Sequence, residues 1–357
     1  MTTPTLAAWV HDLSPYLIEV SPGVGLRWYG LSYVAGVAVA YVILRWMAGR
    51  GMTLIPRDRC FDAIITLAIG AVVGGRLGYI AFYEPTLLWL FSSSPPWWGV
   101  VQLNRGGMAS HGGIIGTIIA AVLISRGWKD ESGTRVGRCP PLHVMDTMAA
   151  IAPLGLGLGR LANFINGELL GRVIAAPGEA APAWAVRFPQ EHLTGHAPAL
   201  TAEQDLALTT LIRDVSPQAT TWGEGYRAVI EAVQNGVPGI AERLEPMLAA
   251  RHPSQLYQAV AEGLVLMLVV WAVWRRPRKP GVIGGVWLAT YGLLRIATEH
   301  WRLPDDHLSV QVIAGLSRGQ WLSAAMVVAG LALFAFAVSR PNASKLGGWA
   351  RRDHADG

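Results

Sequence analysis

Residues 142–163, LHVMDTMAAIAPLGLGLGRLAN, decide the fold class of this chain. An α-helix needs about 20 mostly apolar residues to cross the hydrocarbon core of a bilayer, and this run supplies them. Similar runs recur along the 357 residues, of which 52% are hydrophobic and 15% are charged, whereas soluble domains carry about 25% charged residues. The composition therefore excludes an ordinary soluble enzyme, and its high hydrophobicity excludes a disordered chain.

Repeated windows of this kind predict an all-α, polytopic membrane protein with seven transmembrane helices. The windows are residues 29–48, 60–83, 108–126, 142–163, 254–274, 281–300 and 320–339. The domains expected from them are an N-terminal extracytoplasmic or interfacial segment (1–28), helices 1–4 (29–166), a small extracytoplasmic head domain (167–253), helices 5–7 (254–339) and a cytoplasmic tail (340–357).

The basic residues predict the orientation in the membrane. Arginines cluster around the linkers that follow the first, third and fifth predicted helices, and the tail is also basic. The only lysines, Lys129, Lys279 and Lys345, fall in the same set of segments. By the positive-inside rule the N-terminus is outside and the C-terminus is in the cytoplasm.

Ionisable side chains inside the predicted spans are the candidate functional residues. A charge at the centre of a bilayer costs about 2.5–3.5 kcal/mol on insertion scales, so each such residue pairs within the bundle or marks a polar pathway. Glu262 could pair with one of the arginines. Other ionisable residues near inner helix ends, including Asp146, are explained by capping. The strongest candidates are Arg76, His111, Arg160, Arg295, Glu299 and Arg302.

Spacing places three of these residues together. Arg295, Glu299 and Arg302 are separated by four and three positions, so they lie along one helical stripe where Glu299 can hold both guanidinium groups. Arginine forks onto phosphate oxygens and histidine carries a proton near neutral pH, a combination suited to a phospholipid headgroup. Taken singly, each arginine could instead snorkel to the interface or form a structural ion pair, and His111 could bond to backbone at a helix start.

Two other classes of protein stay open at this point. A transporter or lipid flippase also lines its pathway with buried arginines and glycine-rich helices, although such folds often show internal repeats, which this sequence lacks. A noncatalytic assembly factor would use the same charges only to bind lipid.

Six blocks of sequence resemble the prolipoprotein diacylglyceryl transferase family, in the order and at the predicted helices expected for it. The similarity covers nearly the whole chain, although the region between about residues 175 and 245 is longer than expected for the family. The blocks are Trp28–Gly30, Gly75–Tyr79, Gly106–Gly113, Gly159–Glu168, His252–Tyr257 and Tyr291–Arg302.

The resemblance implies a reaction and its partners. The diacylglyceryl group of phosphatidylglycerol is transferred to the lipobox cysteine thiol in the signal peptide of a bacterial prolipoprotein, which forms a thioether and releases glycerol phosphate. This is the first step of lipoprotein maturation, and it takes place at the bacterial cytoplasmic (inner) membrane. No metal, soluble cofactor or nucleic acid is implied. The positions that match the family's functional residues are Tyr29, His111, Arg160, Asn163, Glu168, Gly171, Arg295, Glu299 and Arg302.

The roles expected from this match follow the needs of the reaction, which are a thiolate and a clamp for the departing phosphate. Arg160 and Arg295 are the expected phosphate ligands, and Glu299 orients Arg295 and Arg302. His111 is the leading candidate for the base that deprotonates the thiol. Alternatively, Arg295 lowers the thiol pKa and His111 binds the headgroup.

The remaining matched residues are expected to contact the substrates. Tyr29 and Asn163 position the reacting groups through hydrogen bonds, and Tyr29 is counted with the catalytic residues. Glu168, Gly171 and Arg302 are expected at the substrate-binding surface together with Arg160 and Asn163.

Overall fold

The computed structural model describes residues 8–21, 24–102, 106–303, 312–313 and 316–349. Helices occupy all of the predicted windows. They are α1 Trp28–Gly49, α2 Cys60–Phe82, α3 Ser110–Ser125, α4 Pro141–Ile165, α5 Ala202–Val215, α6 Trp222–Gln234, α7 Ile240–Leu244, α8 Ser254–Gln258, α9 Leu266–Trp274, α10 Val282–Glu299 and α11 Arg318–Ser339. Single 3₁₀ turns lie at Arg57–Arg59, Pro85–Leu88, Gly99–Val101, Pro189–Leu193 and Glu245–Met247.

Among the described residues, five helical segments are long and apolar enough to cross a membrane. Helix α3 is apolar but shorter, and α10 is not one of the five, so the count of seven spans stays a prediction. Many large apolar side chains on the helices point outward. Examples are Ile114, Leu268 and Val328, which are 57–67% exposed. An apolar outer surface is expected of helices surrounded by lipid.

The fifth predicted helix is continuous but not uniform. Between α8 and α9, residues Ala259–Val265 form a π-helical segment. Such segments insert an extra residue into the helical repeat and often accompany functional sites. Glu262 lies inside this segment and is fully buried.

The described residues also contain four small β-sheets, which the prediction of an all-α fold omitted. The strands are β1 Trp9–Val10, β2 Tyr16–Ser21, β3 Val24–Arg27, β4 Trp128–Lys129, β5 Arg135–Val136, β6 Val173–Ala175, β7 Val186–Arg187, β8 Ala250–Arg251, β9 Val312–Ile313 and β10 Leu316–Ser317. Most of these strands are two residues long, which is too short to leave a period-two pattern in the sequence.

The chain forms two compact units. The first comprises the described residues within 1–35, 155–265 and 291–325, and the second comprises those within 36–154, 266–290 and 326–357.

The first unit contains a four-stranded sheet of order β1-β7-β8-β6, in which β1 runs parallel to β7 and the other pairs are antiparallel. Trp9 and Val10, which the sequence assigns to a separate N-terminal segment, therefore form an edge strand of this sheet. The neighbouring His11 is fully buried, and its Nε2–H donates to the carbonyl oxygen of Phe164 at 2.8 Å. Burial lowers the pKa of His11 to about 4.

Helices α5, α6 and α7 pack around an apolar core within the first unit. Leu211, Tyr226 and Leu244 are almost completely buried there. Helix α5 begins at a reciprocal capping box, in which Thr201 and Gln204 each bond the other's backbone. Apolar burial and a defined helix start together account for the ordered helices of this region.

In the second unit, α2 packs against α3 through glycines. Gly70, Gly74 and Gly78 face Gly112 and Gly116, and a Cβ atom on Gly116 would collide with the carbonyl oxygen of Gly70. Small residues at these positions therefore allow the two helices to approach closely.

Asp146 does act as a cap, but for a helix other than its own. Its carboxylate oxygens accept hydrogen bonds from the backbone N–H groups of Gly281 and Gly284, at 2.8 and 2.7 Å. These groups lie at the start of α10, where backbone donors have no partner within the helix.

Candidate active site

Arg160 forms a two-pronged ion pair with Glu262. The Nε atom lies 2.9 Å from Oε2 and donates to it, and Nη2 donates to Oε1 at 3.4 Å. The Glu262 side chain is fully buried and that of Arg160 is 18% exposed. The expected pairing of Glu262 with an arginine is thus confirmed. Because a buried carboxylate without a partner is costly, the pair fixes the direction of the Arg160 guanidinium.

Tyr291 connects this pair to Arg295. It lies near Arg160 and is close enough to Glu262 and Arg295 to interact with them electrostatically. Helices α4 and α10 and the π-helical segment therefore bring two arginines to one neighbourhood. Tyr291 is not among the site residues predicted from the sequence, although it lies four positions before Arg295 and on the same helical stripe.

Arg295 and Glu299 form an ion pair along α10. The Nη1 atom of Arg295 lies 2.7 Å from Oε2 of Glu299, and both side chains are largely buried. The other carboxylate oxygen accepts a hydrogen bond from Ser317 Oγ at 3.1 Å. The expected contact between Glu299 and Arg295 is confirmed, whereas a contact of Glu299 with the Arg302 guanidinium stays a prediction.

Asn163 and Glu168 contact each other at the end of α4. Asn163 Nδ2 donates to Glu168 Oε2 at 3.2 Å, and Asn166 Nδ2 donates to Oε1 at 3.3 Å. The following residue, Leu169, has a φ of 56°, a left-handed conformation that branched side chains rarely adopt. The hydroxyl of Ser254 donates to the Leu169 carbonyl oxygen at 3.1 Å, which helps to hold this turn.

Gly171 lies between two backbone segments. It pairs with Arg302 through an isolated β-bridge, and a Cβ atom on it would collide with the carbonyl oxygen of His252. Its own carbonyl oxygen accepts a hydrogen bond from Arg251 Nη1 at 3.1 Å. Arg251 is itself fully buried and paired with Glu191 at 2.6 Å. Only glycine fits this position without moving the segment that carries His252.

Tyr29 lies in the first turn of α1. Its hydroxyl oxygen accepts a hydrogen bond from the Tyr33 hydroxyl at 3.2 Å, and the two rings meet edge to face. Tyr33 is 63% exposed. The pair places two phenol groups at one end of this helix, where an amphipathic ring suits the membrane interface.

His111 belongs to the second unit, unlike the other matched residues, which all lie in the first. It is in the first turn of α3 and is exposed, with its ring near those of Phe82 and Tyr83. The structure therefore gives its local surroundings and leaves its relation to Arg160 and Arg295 as a prediction.

Arg76 is surrounded by backbone carbonyl oxygens, which gives it a structural role. Its Nε and both Nη nitrogens donate to five backbone carbonyl oxygens, those of Gly99, Val100, Gln102, Gly106 and Gly107. A guanidinium has five N–H donors, so this set can occupy all of them. Arg76 organises the loop that leads to α3 and is an unsuitable phosphate ligand, a distinction that residue type alone could not make.

Comparison with known proteins gives consistent results. The sequence model of the family described as prolipoprotein diacylglyceryl transferase matches residues 15–336. A phosphatidylglycerol–prolipoprotein diacylglyceryl transferase from Bdellovibrio bacteriovorus is 39% identical to this chain, over 96% of this chain and 97% of its own. Proteins of the same name from Geobacter sulfurreducens and Neisseria gonorrhoeae are 38% and 35% identical, covering 88% and 91% of this chain and 91% and 95% of their own.

Proposed function

Because the chain belongs to the prolipoprotein diacylglyceryl transferase family, we propose that it transfers the diacylglyceryl group of phosphatidylglycerol to the lipobox cysteine of bacterial prolipoproteins. The cysteine sulfur forms a bond to the glycerol carbon that carries the phosphate, and the carbon–oxygen bond to that phosphate breaks. Glycerol phosphate leaves, and the thiol proton passes to a base. The product is a thioether, and this is the first step of lipoprotein maturation.

The observation that best supports this reaction is the neighbourhood shared by Arg160, Tyr291 and Arg295. Two guanidinium groups can grip the phosphate of the lipid and stabilise the charge that grows as the carbon–oxygen bond breaks. Glu262 orients Arg160 and Glu299 orients Arg295, so each arginine is held before the lipid arrives. Held donors need no rearrangement during the reaction, which is what makes them effective.

The thiol must lose its proton before it attacks, because the thiolate is the nucleophile. His111 is our leading candidate for the base, and it is exposed at the start of α3, where a substrate could reach it. The alternative is that Arg295 lowers the thiol pKa through its charge while His111 binds the headgroup.

The other matched residues complete the substrate surface in this proposal. Tyr29 and Asn163 donate hydrogen bonds that position the substrates, and Glu168 and Arg302 bind them. Gly171 contributes through its backbone, since it pairs with Arg302 and lets the segment that carries His252 approach closely.

The enzyme acts from the cytoplasmic membrane in this proposal, with seven spans, the N-terminus outside and the C-terminus in the cytoplasm. The head region then faces the side from which prolipoproteins present their lipobox. The basic tail with Lys345 supports this orientation. A reporter fused to the C-terminus, active only in the cytoplasm, tests it directly.

The activity is tested with purified protein in detergent, phosphatidylglycerol and a peptide with a lipobox cysteine. We expect diacylglyceryl peptide and glycerol phosphate in equal amounts, and neither product with a peptide in which serine replaces the cysteine. A transporter or a noncatalytic lipid-binding factor would give neither product with the cysteine peptide, and that result would contradict the proposal.

A further inference from the structure

The Glu299 carboxylate is held from two directions. Its Oε2 atom faces Arg295 Nη1 at 2.7 Å, within α10, and its Oε1 atom accepts from Ser317 Oγ at 3.1 Å. Ser317 immediately precedes α11, so the second contact comes from a different helix. A carboxylate held by an ion pair at one oxygen and by a hydrogen bond at the other has little freedom to rotate.

The Ser317 hydroxyl is itself fixed by the start of α11. Its oxygen accepts a hydrogen bond from the backbone N–H of Gln320 at 3.1 Å, and the Gln320 side-chain oxygen accepts from the backbone N–H of Ser317 at 2.9 Å. This reciprocal arrangement is a capping box. With its oxygen engaged by the backbone, the hydroxyl hydrogen is available to donate to Glu299.

Gly319, in the first turn of α11, leaves the space that the carboxylate occupies. A Cβ atom at this position would lie 2.8 Å from Glu299 Oε1 and 3.3 Å from its Cδ. The nearest atoms all belong to the Glu299 carboxyl group and none to the backbone, so an added methyl group would displace the carboxylate without moving the main chain. Elsewhere in a helix, alanine is favoured over glycine.

We propose that Ser317 and Gly319 are positioning residues for Glu299, and through it for Arg295, in the transfer reaction. Ser317 supplies the hydrogen bond that sets the carboxylate, and Gly319 leaves the room for it. Through the carboxylate, α11 sets the direction of the guanidinium that stabilises the departing phosphate. This inference rests on the proposed function, in which Glu299 orients Arg295.

Three substitutions at Ser317 separate capping from positioning. Thr can both cap α11 and donate a hydrogen bond to Glu299. Asp caps the helix well, but it cannot donate and it adds a like charge beside Glu299. Ala can neither cap nor donate. We expect Ser317→Thr to retain most activity, and Ser317→Asp and Ser317→Ala to lower kcat by about ten- to hundredfold, as for loss of a hydrogen bond to a charged group. The KM for phosphatidylglycerol should change less, because the interaction acts on the departing phosphate.

A second helix cap provides the control. Thr201→Ala removes the matching capping box of α5, far from Glu299 in sequence and without contact to it. We expect this variant to lose thermal stability as Ser317→Ala does and to keep its activity. If only capping mattered at position 317, Ser317→Asp would be fully active, which would overturn the proposal.

Gly319→Ala and Gly223→Ala form a second matched pair. Gly223 occupies the same position in the first turn of α6, and a Cβ atom there would meet nothing within 4 Å. We expect both variants to keep or raise the melting temperature, and only Gly319→Ala to lose kcat, by about tenfold or more. Wild-type activity of Gly319→Ala would overturn the proposal even if a Ser317 variant failed to fold.

Glu299→Gln distinguishes failure of this inference from failure of the proposed role of Glu299. If Glu299→Gln is inactive while Ser317→Asp and Gly319→Ala are fully active, the positioning proposal alone is wrong. If Glu299→Gln is fully active, the carboxylate has no part in the reaction, and both proposals are wrong.

Discussion

Arg160 and Glu262 form an ion pair between residues 102 positions apart in the chain, with Nε and Oε2 separated by 2.9 Å. Glu262 projects from the π-helical segment between α8 and α9, where its side chain is fully buried. The irregular turn and the ion pair together fix one of the two arginines that we propose as the phosphate clamp.

Glu262→Gln should destabilise the protein and abolish most of its activity. The substitution keeps the shape but removes the charge that balances Arg160, and breaking a buried pair typically costs about 3–5 kcal/mol. Melting temperature and initial transfer rate are the measurements. Glu203→Gln, at an exposed site on α5, is the matched control and should change neither. A Glu262→Gln variant with wild-type stability and rate would show that the pair does not orient Arg160.

Arg76→Lys should loosen the loop that follows α2. Lysine has three donors on one atom and cannot reproduce the five-carbonyl arrangement around the guanidinium. We expect a lower melting temperature and faster proteolytic cleavage between α2 and α3. Arg213→Lys, exposed on α5, is the control. If Arg76→Lys resisted protease like the wild type, the loop would be held by other contacts.

The free energy of unfolding of the protein should depend on pH through His11. Because burial lowers the folded-state pKa to about 4 from the ordinary 6.5, the unfolded state binds the proton more readily between these values. The contribution of neutral His11 to the free energy of unfolding is therefore complete above pH 6.5. It is lost as the pH falls towards 4, and the total loss is about 3 kcal/mol.

Thermal unfolding of the wild type and His11→Gln between pH 7 and 4 measures this effect, because glutamine does not titrate. The wild type should lose more stability than the variant over that range. Exposed His300 provides a control substitution, His300→Gln, which should follow the wild type. Parallel pH profiles of wild type and His11→Gln would mean that His11 accepts its proton in the folded state without penalty.

His111→Gln separates the two roles left open for this residue. As the base, His111 should contribute about 10²–10⁴-fold to the rate, so the variant should lose kcat. As a headgroup ligand only, it would instead raise the KM for phosphatidylglycerol. We expect the kcat effect. Unchanged turnover would remove His111 from the mechanism.

Local sequence patterns were sufficient to predict where the long helices lie and which residues make contact within one helix. Apolar windows gave the positions of α1 to α4 and of α10, because membrane length leaves a long and continuous signal. The Arg295–Glu299 pair followed from a spacing of four residues. For Glu262, the sequence predicted a partner only to the level of an arginine, because a buried carboxylate requires a cation but the sequence does not say which one.

Contacts that depend on how distant segments meet were not predictable. The pairing of β1 with β7 joins two-residue strands in which the partners Trp9 and Val186 are 177 positions apart. The hydroxyl of Ser317 reaches Glu299 only because the start of α11 lies beside the end of α10. Arg76 resembled the other intramembrane arginines by residue type, and only its carbonyl partners distinguish it.

The rate of glycerol phosphate release, measured for Arg160→Gln, Arg295→Gln and the exposed control Arg213→Gln, tests most directly whether two arginines clamp the phosphate. We predict that the wild type and Arg213→Gln release it only with a lipobox thiol present. Arg160→Gln and Arg295→Gln should each release it more slowly by about 10²-fold or more, when the rate is expressed per mole of folded protein. Release by Arg160→Gln and Arg295→Gln at the wild-type rate would contradict the clamp.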